Sequence, residues 1–446
     1  MTTDGRLTRG SIPRHMLSLA APLIAGNILQ QLYNTIDAFV LGRFAGAAEF
    51  AAVGVAGSVM NLFIFLLTGA CTGVGVIFAQ LYGGERAGEF RRAHFIALTL
   101  GLGATVLIGG AGMAGLDALL RLICTPHALM GRVRSYLAII LVSLPAAFLY
   151  NLYGAMLRAV GRARAALLAL AAAVAANFAL DVIFVAALGL GIEGAAWATA
   201  LSQGLSAALC LVCIKIKEPR LLFRRADCVM DRALAARTLR YSLVTALHQS
   251  SLYIGKLFVQ GAVNSAGAAL ISAYTAATRI EGFANSFGDS GAAATSVLVA
   301  QNLGAGEHAR VEKSYRCSLV LMLIMGVCCS AAMYLCAGRA VGFVLGEYSG
   351  AAYENACAYM RTVAVFYTLC FTGNTLAGYF DGIGRVLVPF AGAAGHIALR
   401  AMLSWRLIGG MGLRAVALAT GIGWLCVNLL WLAIKARQSG KSPGRA

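Results

Sequence analysis

The chain has 446 residues, 60% of them apolar and only 12% charged, with a mean hydropathy of +0.78. A soluble domain carries about 25% charged residues, so this composition excludes an ordinary soluble enzyme and describes an integral membrane protein. The net charge of +18 would suggest nucleic acid as the partner of a soluble protein, but here a basic bias of cytoplasmic loops explains it and no nucleic-acid partner is expected.

Charged and glycine-rich punctuation divides the chain into predicted spans at 17–42, 51–79, 94–115, 134–155, 165–188, 192–214, 239–262, 269–300, 317–338, 358–379, 387–408 and 413–434. The apolar runs are continuous rather than alternating, and 52 glycines against seven prolines suit closely packed helices, so the expectation is a helical bundle and not a β-barrel. Span one reads LSLAAPLIAGNILQQLYNTIDAFVLG, with Pro22 a third of the way in and Asp37 near its far end. An aspartate inside hydrocarbon costs roughly 3 kcal/mol, which marks Asp37 as a functional candidate unless it rests among the headgroups. Arg6, Arg9 and Arg14 read as a cytoplasmic lead-in, and the first apolar run is too long for a cleavable signal. The twelve cysteines, including the Cys210 to Cys213 pair inside a span, read as small buried hydrophobes.

An even number of spans puts both termini on one side. Lys and Arg concentrate in the termini and alternate loops, so that side is predicted to be the cytoplasm. The chain also repeats across its midpoint. Ala79-Gln80-Leu81-Tyr82-Gly83 matches Ala300-Gln301-Asn302-Leu303-Gly304, Gly161-Arg162 matches Gly384-Arg385, and Ala198-Thr199 matches Ala419-Thr420. The expected fold is therefore all-α: twelve transmembrane helices in two six-helix lobes related by a pseudo-twofold along the membrane normal. The lobes are predicted at 1–214 and 239–446, joined by a cytoplasmic linker at 215–238. Parallel repeats of this kind favour a transporter with its substrate at the repeat interface over a channel.

Topology converts position into depth. Spans one and five both run outward, which places Asp37 about 7 Å and Asp181 about 10 Å below the outer boundary. Asn177 lies one turn deeper than Asp181 on the same face. Thr199 of span six falls at a similar depth, and Tyr136 opens span four on that side. Two carboxylates approaching each other in low dielectric cannot both ionise cheaply, so the pair is expected to bind a proton or cation. The ordinary alternatives are interhelical hydrogen bonds for Asn177 and Thr199 and an interfacial aromatic for Tyr136.

Several stretches resemble the MATE (multidrug and toxic compound extrusion) transporters, closest to their bacterial DinF-like branch: QQLYNTIDAFVLGRFAG, YLAIILVSLPAAFLYNLYGAMLRAVGR, ANFALDVIF, GIEGAAWATALSQG, TRIEGF and AQNLGAG. The resemblance implies a V-shaped pair of lobes that export organic cations or amphipathic, drug-like small molecules across the lipid bilayer against inward H+ or Na+. It implies Asp37 as the coupling residue, with Asn177, Asp181, Thr199 and Tyr136 around it and Pro22 as the bend of the first helix. With Na+ as the coupling ion, Asp37, Asp181 and Asn177 would hold it; no other cofactor is implied, and a monomer suffices.

The second half departs from NorM-type members, which carry acids within helices seven and ten. Here Lys256 and Arg400 place positive charge in that lobe, with Glu281 and Asp289 as the acids available to pair with them and an anionic or zwitterionic substrate as one consequence. A lipid-linked precursor flippase is the alternative of related architecture. A membrane-embedded enzyme is not expected, because the six histidines are widely separated and no paired metal motif is present.

Overall fold

A computed structural model describes residues 6–123 and 125–439, and among them the regular structure is helical, without a strand. The first half contributes α1 (Ile12–Val40), α2 (Ala47–Gly83), α3 (Ala87–Ala114), the short α4 (Leu116–Leu122), α5 (His127–Ala159), α6 (Ala163–Asp181) and α7 (Gly191–Lys217). The second contributes α8 (Arg232–Asn264), α9 (Ala268–Gly304), α10 (His308–Leu335), the short α11 (Ala337–Leu345), α12 (Ala351–Gly382), α13 (Leu387–Met411) and α14 (Leu413–Ser439).

Removing α4 and α11 leaves the twelve long helices of the expected bundle. Eight of them are apolar enough to cross a membrane by length and composition alone. The other four, α1, α8, α9 and α12, are as long, but among the described residues none contains a stretch apolar enough to join them. These four carry Asp37, Lys256, Glu281, Asp289 and Asn374, so the low hydropathy and the candidate chemistry have one origin.

The repeat is visible in the elements themselves. Helices α2 and α9 each have 37 residues, and α3 and α10 each have 28. Each half then places a short helix, α4 or α11, at the same point in the order. Sequence reading missed both short helices because seven or nine residues are too few to register as a span.

The chain packs as two compact units. One takes in the described residues up to Arg9, Ala21–Ala246 and Gly304–Gly306; the other takes in Gly10–Ala20, Leu247–Leu303 and the chain from Glu307. Within the first unit, α2 and the first half of α8 meet at a seam of small residues. Gly69 and Gly73 lie one turn apart, and a Cβ on either would come within 2.6 Å of the α8 backbone at Thr245 or Tyr241. Glycine is required there, as in small-xxx-small packing, and Thr245 Oγ1 donates to the Gly69 carbonyl at 2.7 Å.

The polar link between the halves is shorter and better held than its composition suggests. It runs from Glu218 to Asp231 and contains two single 3-10 turns, Pro219–Leu221 and Arg225–Asp227. Glu218 accepts Arg162 through two nitrogens at 3.0 and 2.8 Å, and Arg91 Nε donates to Asp227 Oδ2 at 2.7 Å. The Arg91 guanidinium beside Asp227 holds its carboxyl below the usual carboxylate range. Phe223 adds ring contacts to His94 and Phe95, at centroid distances of 5.0 and 5.6 Å.

Candidate functional site

Asp37 sits in the last turn of α1 and Asp181 closes α6. Each of these helices widens beyond its acid into a π segment, Leu41–Ala45 one turn after Asp37 and Val182–Ala187 directly after Asp181. There the backbone bonds span five residues: Gly46 N–H donates to the Leu41 carbonyl at 3.2 Å and Leu188 N–H to that of Ile183 at 2.9 Å. Such bulges occur often at functional positions, because they re-aim side chains without breaking the helix. Left-handed glycines, Gly46 at φ 97° and Gly189 at φ 66°, then turn the chain back into α2 and α7.

Asn177 joins the two acids. With its amide nitrogen toward the carboxylates, it donates to Asp37 Oδ1 at 2.8 Å and to Asp181 Oδ2 at 3.2 Å. Asp37 and Asp181 are also within hydrogen-bonding reach of each other, and Tyr33 lies beside Asp37. Tyr33 stands one turn before Asp37 on the same face of α1 and donates to Thr199 Oγ1 at 3.0 Å. Asp181 is fully buried, and its Oδ1 has no hydrogen-bond partner.

Of the five residues expected in this half, Asp37, Asn177, Asp181 and Thr199 therefore belong to one network. Tyr136 is buried beside it, within electrostatic reach of both acids, and its hydroxyl donates to Met60 Sδ at 3.5 Å. Sequence reading did not single out Tyr33 or Met60. The signal for Tyr33 was its four-residue spacing from Asp37; Met60 had none. Pro22 lies inside α1, where it removes one backbone donor without ending the helix, one residue past the point where α1 passes between the two units.

Two carboxylates tied in this way can share one proton, or hold one cation, at little cost in charge separation. Asn177 meets them as a donor, so in this arrangement its amide does not supply an oxygen ligand for Na+. Among the described residues no group of three or more His, Cys, Asp or Glu is placed to hold a metal ion.

The second unit carries a different arrangement. Tyr359 donates to Glu281 Oε2 at 3.0 Å, and Tyr367 donates to Asn285 Oδ1 at 3.1 Å. Asn374 Nδ2 donates to Asp289 Oδ1 at 3.5 Å, and Arg400 Nη2 donates to the Tyr274 hydroxyl at 3.3 Å. The ring edge of Tyr274 packs on Tyr359 at 5.7 Å, which links the arginine to the glutamate through two phenols.

The expected ion pairs are not formed. None of the pairs within 4.0 Å among the described residues includes Lys256, Arg400, Glu281 or Asp289. The physical reason is that neutral phenol and amide partners satisfy Glu281, Asp289 and one nitrogen of Arg400, while Arg400 Nε stays buried and unpaired. Lys256 is exposed in the last third of α8, about two turns before its end. In a membrane span, such a side chain faces the bundle interior or a water-filled cavity.

Comparison with known proteins gives one consistent result. The model of the MatE family matches residues 22–183 and again 245–406, one copy in each half. The chain is 27% identical over 308 residues to the probable multidrug resistance protein YpnP of Bacillus subtilis (strain 168), covering 68% of each chain. It is 28% identical over 185 residues to DNA damage-inducible protein F of Escherichia coli (strain K12), covering 42% of this chain and 40% of that one. A crystal structure described as MATE in complex with MaL6 superposes with a TM-score of 0.91 at 24% identity, over 99% of both chains.

Proposed function

The chain belongs to the MatE family of multidrug efflux transporters and is a multi-pass membrane protein, and from that premise we propose that it is a proton-driven antiporter coupled through Asp37 and Asp181. The observation that carries this reading is the approach of two carboxylates to hydrogen-bonding reach, with Asn177 donating to both. That geometry suits a shared proton better than Na+, which requires additional oxygen ligands.

In the proposed cycle both termini are cytoplasmic, and the ends of α1 and α6 that carry the acids lie toward the outside. In the unloaded site the two carboxylates share one proton and carry one negative charge, and a second proton entering from there neutralises the pair. Neutralisation removes the cost of keeping a charge out of water, so α1 can repack about Pro22, where the backbone bond is missing. Repacking expels the substrate, and loss of the proton to the cytoplasm resets the site. The driving force is sufficient: one charge crossing ~100 mV releases ~2.3 kcal/mol, which sustains roughly a fiftyfold substrate gradient. The cycle needs no second chain.

The substrates proposed are organic cations and amphipathic, drug-like compounds. The unpaired Lys256 and Arg400 of the second unit extend that range to molecules that also carry an anionic group. Uptake of a fluorescent drug into inverted vesicles, driven by a pH gradient or by a sodium gradient in parallel, tests the reading. Uptake should follow the pH gradient and be lost in Asp37→Asn while the variant still folds. Uptake by that variant at the wild-type rate, or uptake driven by sodium alone, overturns it.

A further inference from the structure

Thr199, the α7 member of the acid network, is the first of a line of polar side chains on the buried face of that helix. Ser202, Gln203, Ser206 and Cys210 follow at intervals of three or four residues, each step about 5 Å along the axis. Ser202 Oγ donates to the Thr199 carbonyl at 2.9 Å and can still accept. Ser206 is 2% exposed and its Oγ has no hydrogen-bond partner among the described residues, and Gln203 Oε1 is likewise buried without one. A polar atom buried dry is costly, and ordered water is what ordinarily meets it. Each step along this face of α7 is short enough for one water to bridge.

The line ends beside a cation that is turned inward. Arg158 lies in the last turn of α5, where a long basic side chain ordinarily reaches out to water. It folds back instead over Gly154: a Cβ there would lie 3.1 Å from Arg158 Nη1, so the glycine leaves room for the guanidinium. Folded back, it is within electrostatic reach of Tyr150 on its own helix face, Cys71 of α2 and Cys210 of α7. These are thiols and a phenol, not carboxylates, and the Arg158 side chain forms no ion pair or hydrogen bond among the described residues. Of the acids at that end of the unit, Glu218 is held by Arg162 at 2.8 Å and Asp227 by Arg91 at 2.7 Å, while Glu85 and Glu89 pair with Arg6 and Arg86. The charge of Arg158 is left uncompensated.

We propose that Arg158 is the inner proton barrier of the first unit, its charge closing a water-bearing track that runs along α7 from Thr199 past Ser202, Gln203 and Ser206 to Cys210. The inference rests on the antiport reading above. Asp37 is only half-buried, so protons reach the acids without passing a gate. Tyr33, beside Asp37 and bonded to Thr199, then connects the acids to the head of the track. A wet path from a loaded proton site to the inner end of the unit would let the gradient run down without moving substrate. A fixed positive charge on such a path excludes protons and other cations while water remains. The role also accounts for the missing partner of Arg158, because a carboxylate beside it would cancel the field that does the excluding.

The test is proton leak into proteoliposomes that carry a pH-sensitive dye, under an imposed pH gradient and with no drug present. The wild type should hold the gradient. Arg158→Met, or Arg158→Gln where the first does not fold, should lose it about tenfold faster, the low end of what a focused field does to local cation concentration. Arg158→Lys, which keeps the charge, should leak little more than wild type. The leak of Arg158→Met should return to the wild-type rate when Ser206→Ala and Gln203→Leu remove the polar anchors of the track. A gradient that stays tight in folded Arg158→Met and Arg158→Gln overturns the inference, as does an equal leak in Arg158→Lys or one that survives the loss of those anchors. Drug export by Asp37→Asn at the wild-type rate, measured apart from the leak, would instead overturn the antiport reading itself.

Discussion

Replacing Asn177 by leucine separates its role as a donor from any role as a cation ligand. The side chain donates to Asp37 Oδ1 at 2.8 Å and Asp181 Oδ2 at 3.2 Å, and both bonds stabilise the carboxylates in their charged, unloaded form. A hydrogen bond to a charged group contributes about 1.5–3 kcal/mol, and one to a neutral group about 1 kcal/mol. Because the pair carries about one charge when a proton is shared, the unloaded state loses roughly 2–4 kcal/mol. The loaded state loses less, so the variant holds its proton more tightly. The differential is about 0.5–2 kcal/mol, which at 1.4 kcal/mol per decade is about two- to thirtyfold in affinity. Half-saturation by external protons should therefore fall, while turnover slows because the proton leaves late. The assay is initial-rate efflux from proteoliposomes across external pH, with thermal unfolding to check that the variant is intact. Half-saturation that stays constant or rises refutes the argument, since it would make Asn177 a ligand for the loaded state.

Pro22→Ala restores one backbone donor in α1, so transport should slow several-fold while proton binding, read by protein-detected titration in detergent, is unchanged; equal turnover would remove the bend from the cycle. Arg400→Met removes the cation whose Nε is unpaired, and export of carboxylate-bearing drugs should fall while export of purely cationic dyes persists. Parallel losses for both classes would count against a role in selectivity. The Arg91–Asp227 pair, 2.7 Å apart and partly buried, should show a coupling of about 0.5–1 kcal/mol in a double-mutant cycle on thermal unfolding. Because Arg91 lowers the folded-state pKa of Asp227, that contribution is fully present above the unfolded value near about 4 and is lost as pH falls through the folded value. A coupling that grows on acidification would reverse the sign and exclude the assignment.

Much of the fold was legible because continuous apolar runs leave a bilayer-spanning protein few alternatives, and because short repeated peptides survive in both halves. The acid pair was legible for a related reason. Once the direction of each span is known, a residue's distance from the span end gives its depth, and Asp37 and Asp181 coincide. What stayed hidden lacks a signature in composition. A π segment changes the period of the backbone bonds but uses the same apolar residues as an α-helix, so Leu41–Ala45 and Val182–Ala187 read simply as helix ends. The charges of the second half suggested ion pairs, because a sequence shows which charges exist but not that Tyr359, Asn374 and Tyr274 stand closer to them. The passage of α1 and α8 from one compact unit to the other is likewise invisible, since no residue marks it.

The clasped link has an evolutionary and practical consequence. A fused duplication would ordinarily keep its joint in the segment that once connected two copies, and here that segment is Glu218–Asp231. Yet Arg162 and Arg91 fasten this segment to the first unit, Asp231 caps α8 by accepting from Ala233 and Leu234 N–H at 2.9 and 3.0 Å, and the first half of α8 is sewn in through Thr245 and Gly69. The passage between units comes only at Ala246 and Leu247, in mid-helix. Cys228 to Met230 is exposed and tied by local bonds to its own turn, with Val229 N–H donating to the Asp227 carbonyl at 2.8 Å and the Val229 carbonyl accepting from Asp231 N–H at 3.1 Å. A tag, a protease site or a chain break should be tolerated there, with the two fragments still assembling, whereas a single residue inserted beside Ala246 would rotate everything that follows by about 100°.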